Sequence, residues 1–178
     1  IGSSAHENAS PNQYRGMVRT YRNDGQLNSW TQLGQDIDGE AIWDEFGWSV
    51  SLSSDGNTLA IGAKGNDGNG SNSGHVRIFN WDGSSWIQIG QDINGEAAGD
   101  RSGYSVSLSS DGNTVAIGAY NNDGNGSESG HVRIYEYDSS SSWIQIGQDI
   151  NGEAAGDESG WAVSLSDDGN TVAIGAKD

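Results

Sequence analysis

The sequence predicts an all-β fold made of β-propeller blades, and three observations predict it. A unit of about 56 residues recurs: "WTQLGQDIDGEA" from Trp30 returns as "WIQIGQDINGEA" from Trp86 and again from Trp143. A second block, "SLSSDGNTLAIGA" from Ser51, returns as "SLSSDGNTVAIGA" from Ser107 and "SLSDDGNTVAIGA" from Ser164. Each unit then divides into four short segments of strand character. Four strands per repeated unit of this length is what one propeller blade requires.

The elements follow in order. Tyr104 to Ser109 alternates Tyr, Val and Leu with Ser, the period of a strand. Asp111-Gly112 is a tight-hairpin signal that leads into "NTVAIGA". "HVRIYEYD" from His131 is rich in β-branched and aromatic residues and makes the third strand. A Ser-rich turn precedes the fourth, "WIQIGQDI". Apolar groups on both faces of the middle strands suit a sheet packed between neighbouring sheets. The small residues of the first two strands suit the crowded centre where blades converge. A β-solenoid is the alternative, although its coils are usually shorter.

Composition agrees. There are 28 Gly, 7 Trp and a single Pro, and the long runs of Leu, Ala, Glu and Lys that build helical bundles are missing. The N-terminal stretch aligns with the segment from Ile61, and the C-terminus stops at the matching point of a further unit. The repeats therefore fall at about 1–60, 61–116 and 117–173, with 174–178 starting the next. Three blades do not close a propeller of four to eight. The expectation is a piece of a larger propeller, or copies that join. A start at Ile1 rather than Met points to a processed product or a fragment.

The net charge of −17 argues against nucleic acid or an anionic membrane surface as a partner. Absence of Cys excludes disulfides and thiolate metal sites. No segment approaches the roughly 18 apolar residues of a membrane-spanning helix.

"DEFGWSVSLSSDGNTLAIGA" and its counterparts "GDRSGYSVSLSSDGNTVAIGA" and "GDESGWAVSLSDDGNTVAIGA" resemble the FG-GAP repeat, which builds the propeller of integrin α subunits and related bacterial and algal surface proteins. Phe46-Gly47 is a literal FG, and Gly62-Ala63, Gly118-Ala119 and Gly175-Ala176 stand at the GA of GAP, with Lys or Tyr in place of Pro. The resemblance implies a seven-bladed propeller fold and a surface or adhesion role. It does not carry over the family's calcium loop, because only "SSDGNT" or "SDDGNT" stands between the two motifs here. That is too short to wrap an ion.

Blade topology places the loop between strands two and three on the same rim as the loop to the next blade. The sequences "NDGNGSNSGHV" at Asn66 to Val76 and "NDGNGSESGHV" at Asn122 to Val132 stand there. Three readings are open. Asp67, Asn69 and Ser71, like Asp123, Asn125 and Ser127, resemble half of an oxygen-ligand Ca²⁺ loop, with Asp100 or Glu96 available to complete the shell. Asn69, Asn125 and Asn8 stand in N-glycosylation triplets. As a third reading, DG and NG are ordinary turn residues.

His75 and His131 recur on the third strand, where Met17 stands in the first unit, and are expected to pack rather than ligate. Arg19, Arg77 and Arg133 are each expected to pair with a carboxylate such as Asp36, Asp92 or Asp149, a structural role. Trp30, Trp86 and Trp143 are expected between blades, or as a sugar-stacking platform. Identical acids in every unit argue for structure or repeated binding, so the expectation is a protein that is not an enzyme. The reading that results is an extracellular or cell-surface recognition and adhesion module with a protein or glycan ligand at its acidic loop face. The alternatives are a structural unit that assembles with other blades or copies, and a carbohydrate-binding lectin.

Overall fold

The computed structural model describes residues 2–3, 15–23, 25 and 29–177. Asn8 lies outside them. Among the described residues every regular element is a strand, and no helix is long and apolar enough to cross a membrane.

Counted by blade, which is offset from the sequence repeats, the first unit contributes β1 (Gly2–Ser3), β2 (Met17–Val18), β3 (Tyr21–Asn23), β4 (Trp30–Gln32) and β5 (Ile37–Asp38). The second contributes β6 (Ser49–Leu52), β7 (Thr58–Ala63), β8 (His75–Trp81), β9 (Trp86–Gln88) and β10 (Ile93–Asn94). The third repeats this as β11 (Ser105–Leu108), β12 (Thr114–Ala119), β13 (His131–Tyr137), β14 (Trp143–Gln145) and β15 (Ile150–Asn151). β16 (Ala162–Leu165) and β17 (Val172–Gly175) form a last hairpin. Both complete units are antiparallel meanders, the propeller blades expected.

The outermost strand differs from expectation in being broken. β9 and β10 both pair with β8, and β14 and β15 both pair with β13. The break falls at Gly90 and Gly147, which take φ of 69° and 73°, a conformation open to Gly at no steric cost. It frees the next residue to reach across: Gln91 donates to the carbonyl of Trp143 at 2.8 Å and accepts its N–H at 3.1 Å.

The alternating serines of the first strand also have a specific role. Ser49 and Ser105 donate to the carbonyls of Gly103 and Gly160 in the next unit, both at 2.7 Å. The hydroxyls of Ser51 and Ser107 accept the N–H groups of Leu108 and Leu165, both at 2.9 Å. The inner strands come so close that a Cβ on Gly62 or Gly118 would meet the carbonyl of Gly103 or Gly160.

The core lies between blades. One cluster joins Val18, Ile37, Phe46, Ile61, Phe79 and Trp86; a second joins Ile78, Leu108, Val115, Ile117, Tyr135 and Trp143. Trp86 and Trp143 are buried as expected, their indole N–H groups bonded to Thr20 Oγ1 (2.8 Å) and the Ile89 carbonyl (3.1 Å) of the preceding unit. Trp30 is 66% exposed and does not follow them.

Candidate functional site

The loop Asn66–Gly74 folds against residues 95–102, so the two loops expected on one rim do share it. Asn69 donates from its side chain to the carbonyls of Gly95 (2.9 Å) and Glu96 (2.7 Å), and Asn125 does the same to Gly152 and Glu153. Asp67 Oδ1 accepts the N–H of Asn72, and Asp123 Oδ1 that of Glu128, both at 2.8 Å. The carbonyls of Ser71 and Ser127 accept the N–H groups of Gly99 and Gly156. Asp100 is buried, with one carboxylate oxygen shared by the Ala97 N–H and the Asn122 side chain, each at 3.0 Å. Much of the polar chemistry of the loop is thus spent within the rim.

A different set of residues converges beneath it. Glu96 reaches from one blade to His131 and Asp149 of the next; Glu40 reaches in the same way to His75 and Asp92. In each triplet one nitrogen and two carboxylate oxygens lie within 4.8 Å of one another, close enough to hold a metal ion. Both imidazoles are 1% exposed, and burial holds each below the usual histidine range, against the opposing pull of nearby carboxylates. They are therefore neutral at physiological pH, the form that ligates metals. Of the acids expected as ligands, Glu96 belongs to such a triplet; Asp67, Asp100 and Asp123 do not.

The expected pairing of each arginine with a carboxylate holds, with Asp36 and Asp92 as partners in the first two units and Glu96 in the third. Arg19 forks onto Asp36 at 2.9 and 2.7 Å as anticipated. Arg77 donates twice to Gln88 Oε1 and also pairs with Asp92 at 3.6 Å and Glu40 at 3.5 Å. Arg133 turns to the preceding blade, to the Asn94 carbonyl (2.8 Å) and Glu96 (3.5 Å). The signal in the sequence was His75…Asp92 and His131…Asp149, set beside Met17 in the unit where Arg19 forks onto both oxygens of Asp36.

A second group missed from sequence lies at the same end of the blades. Trp48, Tyr104 and Trp161 begin the first strands and contact in a row, with ring centroids 5.5 and 4.7 Å apart. Tyr120 closes against Tyr104 (4.4 Å) and Trp161 (5.0 Å), and Lys64 Nζ lies 3.5 Å from the Trp48 ring. Lys64 also pairs with Glu45 at 2.8 Å.

Blades stitched edge to edge, with a loop face above them, define a β-propeller repeat module. Residues 37–79 and 94–135 match the FG-GAP repeat family. No curated protein matches the chain. Similar solved structures include one from Bacteroides uniformis named as a 6-phosphogluconolactonase, with a TM-score of 0.61 at 13% identity over 90% of this chain and 41% of its own. Another is the periplasmic gluconolactonase PpgL of Pseudomonas aeruginosa, with a TM-score of 0.54 at 18% identity over 89% of this chain and 42% of its own. The chain thus spans about two fifths of the length of these structures, and the likeness is one of fold.

These neighbours correct one expectation. Exclusion of catalysis does not stand, because blades arranged in this way also occur in proteins named as lactonases. Identical acids in every unit do not exclude a catalytic centre either. Units differ where it matters, as at Met17 and His75, Lys64 and Tyr120, or Trp43 and Gly99, and one centre can draw on unlike residues from several blades.

Proposed function

We propose that the chain is an extracellular or cell-surface recognition and adhesion module, whose protein or glycan partner docks on the loop face. One observation carries this reading. Gly99 and Gly156 stand at equivalent places with φ of 91° and 88°; Trp43 occupies that place in the first unit with φ of 73° and is 61% exposed. A bulky residue in the left-handed region is strained. Ile42 and Trp48 nearby in sequence are exposed too. Exposed aromatic surface within a polar rim is the composition of a recognition site. In this reading Ca²⁺ neutralises the rim, where Asp67, Asp123, Glu96 and Glu153 are all exposed.

Binding of the chain and of Trp43→Gly to arrayed glycans and immobilised surface proteins tests it, in Ca²⁺ and in chelator. The variant should melt no lower than the parent yet bind at least tenfold more weakly. Equal binding by both, or none by the parent, would refute the site.

A second reading, assembly with other blades or copies, is favoured by an apolar groove of about 640 Å³ lined by Val18, Tyr21, Trp30, Val50, Leu52 and Leu59. Val50 and Leu52 are 42% and 52% exposed there. Sedimentation over a range of concentrations should show self-association that Leu52→Lys abolishes.

A further inference from the structure

We propose that each of the two blade junctions binds a divalent ion of the zinc class, held by one imidazole and two carboxylates drawn from two blades. The junction of Glu96 with His131 and Asp149 shows why. Glu96 Oε1 is engaged by Arg133 at 3.5 Å, while Oε2 faces His131 Nδ1 at 3.9 Å. Asp149 Oδ1 accepts the Gln145 side chain at 2.7 Å, while Oδ2 faces the same nitrogen at 4.0 Å. Each carboxylate is thus fixed through one oxygen by a neighbouring side chain, and the other oxygen is aimed at a fully buried imidazole. Such outer contacts are what orient the ligands of a metal site.

The separations of 3.9 and 4.0 Å are too long for hydrogen bonds. They lie within about half an ångström of the ligand–ligand spacing of a tetrahedral zinc centre with bonds near 2.1 Å. Glu96 is exposed and can close that difference. A water completes the fourth position. A nitrogen and only two carboxylates suit zinc-class ions better than Ca²⁺, which takes six to eight oxygens.

The first unit provides an internal contrast. Met17 stands there at the histidine position, and Arg19 takes both oxygens of Asp36. Where histidine is present the arginine does not fork onto both oxygens of the aspartate: Arg77 lies 3.6 Å from Asp92 Oδ1 alone and 3.5 Å from Glu40. Arg77 goes to Gln88, whose amide holds Asp92 Oδ1 at 2.7 Å, and Arg133 goes to Glu96 and Asn94. The third-strand arginine therefore saturates the aspartate only where no imidazole is available to share an ion with it. His75 Nε2 is moreover buried without a hydrogen-bond partner.

Calorimetric titration of the metal-free chain with Zn²⁺, alongside Co²⁺ absorption spectroscopy, is the test. Two equivalents of Zn²⁺ should bind and Co²⁺ should develop the intense visible bands of a four-coordinate site. Glu96→Gln, which leaves both buried imidazoles in place, should remove one equivalent, and Glu40→Gln the other. Gln145→Ala, which loosens Asp149 alone, should weaken one site by about 10- to 100-fold. Absence of Zn²⁺ binding would overturn the proposal, as would stoichiometry unchanged in Glu96→Gln/Glu40→Gln, or Ca²⁺ displacing Zn²⁺ at equal concentration.

Discussion

Ser51 of one blade accepts the main-chain N–H of Leu108 in the next at 2.9 Å, and Ser107 repeats the contact with Leu165. Side chains that would otherwise be minor alternate positions on a strand thereby become the stitches between inner strands. Ser51→Ala removes the acceptor and leaves a partly buried N–H unpaired. It should lower stability by about 1–3 kcal/mol, measured by urea unfolding. Ser54→Ala, whose hydroxyl donates to the Ser110 carbonyl at an exposed position (3.0 Å), should cost about 0.5 kcal/mol or less.

That alternation was readable in the sequence; its purpose was not. Strand order within a blade follows from periodicity, because contacts within a blade join neighbouring segments. The triplets escape such a reading, since Glu96 meets His131 only after one blade's loop crosses onto the next, 35 positions along the chain. Trp43 escapes for another reason. Its departure from the Gly of its counterparts is visible in sequence, but the left-handed φ that makes it costly is not.

The three recurrent tryptophans should separate sharply on truncation. Trp86 and Trp143 are 3% and 2% exposed and hydrogen-bonded across blades. Trp86→Ala or Trp143→Ala should lower stability by about 3–5 kcal/mol. Trp30, 66% exposed, should lose about 1 kcal/mol or less as Trp30→Ala. Thermal unfolding of the three variants in one buffer reads the ranking directly, and equal losses would contradict the burial assigned here.

Close approach of the inner strands makes a further expectation. At Gly62 and Gly118 an added Cβ collides with the backbone carbonyl of the adjacent blade, Gly103 or Gly160, which cannot rotate away. Gly56→Ala instead meets open space and bears only the strain of its φ of 70°. Gly118→Ala should destabilise by several-fold more than Gly56→Ala, at about 2–4 kcal/mol against about 1 kcal/mol. Denaturant midpoints decide between them.

The hairpin turns supply the pH dependence. In each, a serine hydroxyl donates to the aspartate two residues on, from Ser53 to Asp55 (2.7 Å), Ser109 to Asp111 (2.6 Å) and Ser166 to Asp168 (2.6 Å). Backbone N–H groups of Asn57, Asn113 and Asn170 add a second donor. Both favour the ionised carboxylate, so all three aspartates sit below the usual carboxylate range, with the serine the larger cause. A folded value depressed below the unfolded one adds stability that is fully present above about pH 4 and is lost as pH falls through the folded value. Carboxyl-carbon NMR titration should therefore give these three residues lower midpoints than an unpaired exposed aspartate. Ser53→Ala should move Asp55 upward and leave Asp111 and Asp168 where they are. Because the groups are largely solvent-exposed, screening keeps each contribution to folding small. The titration midpoints, more than the acid-unfolding curve, are the decisive readout.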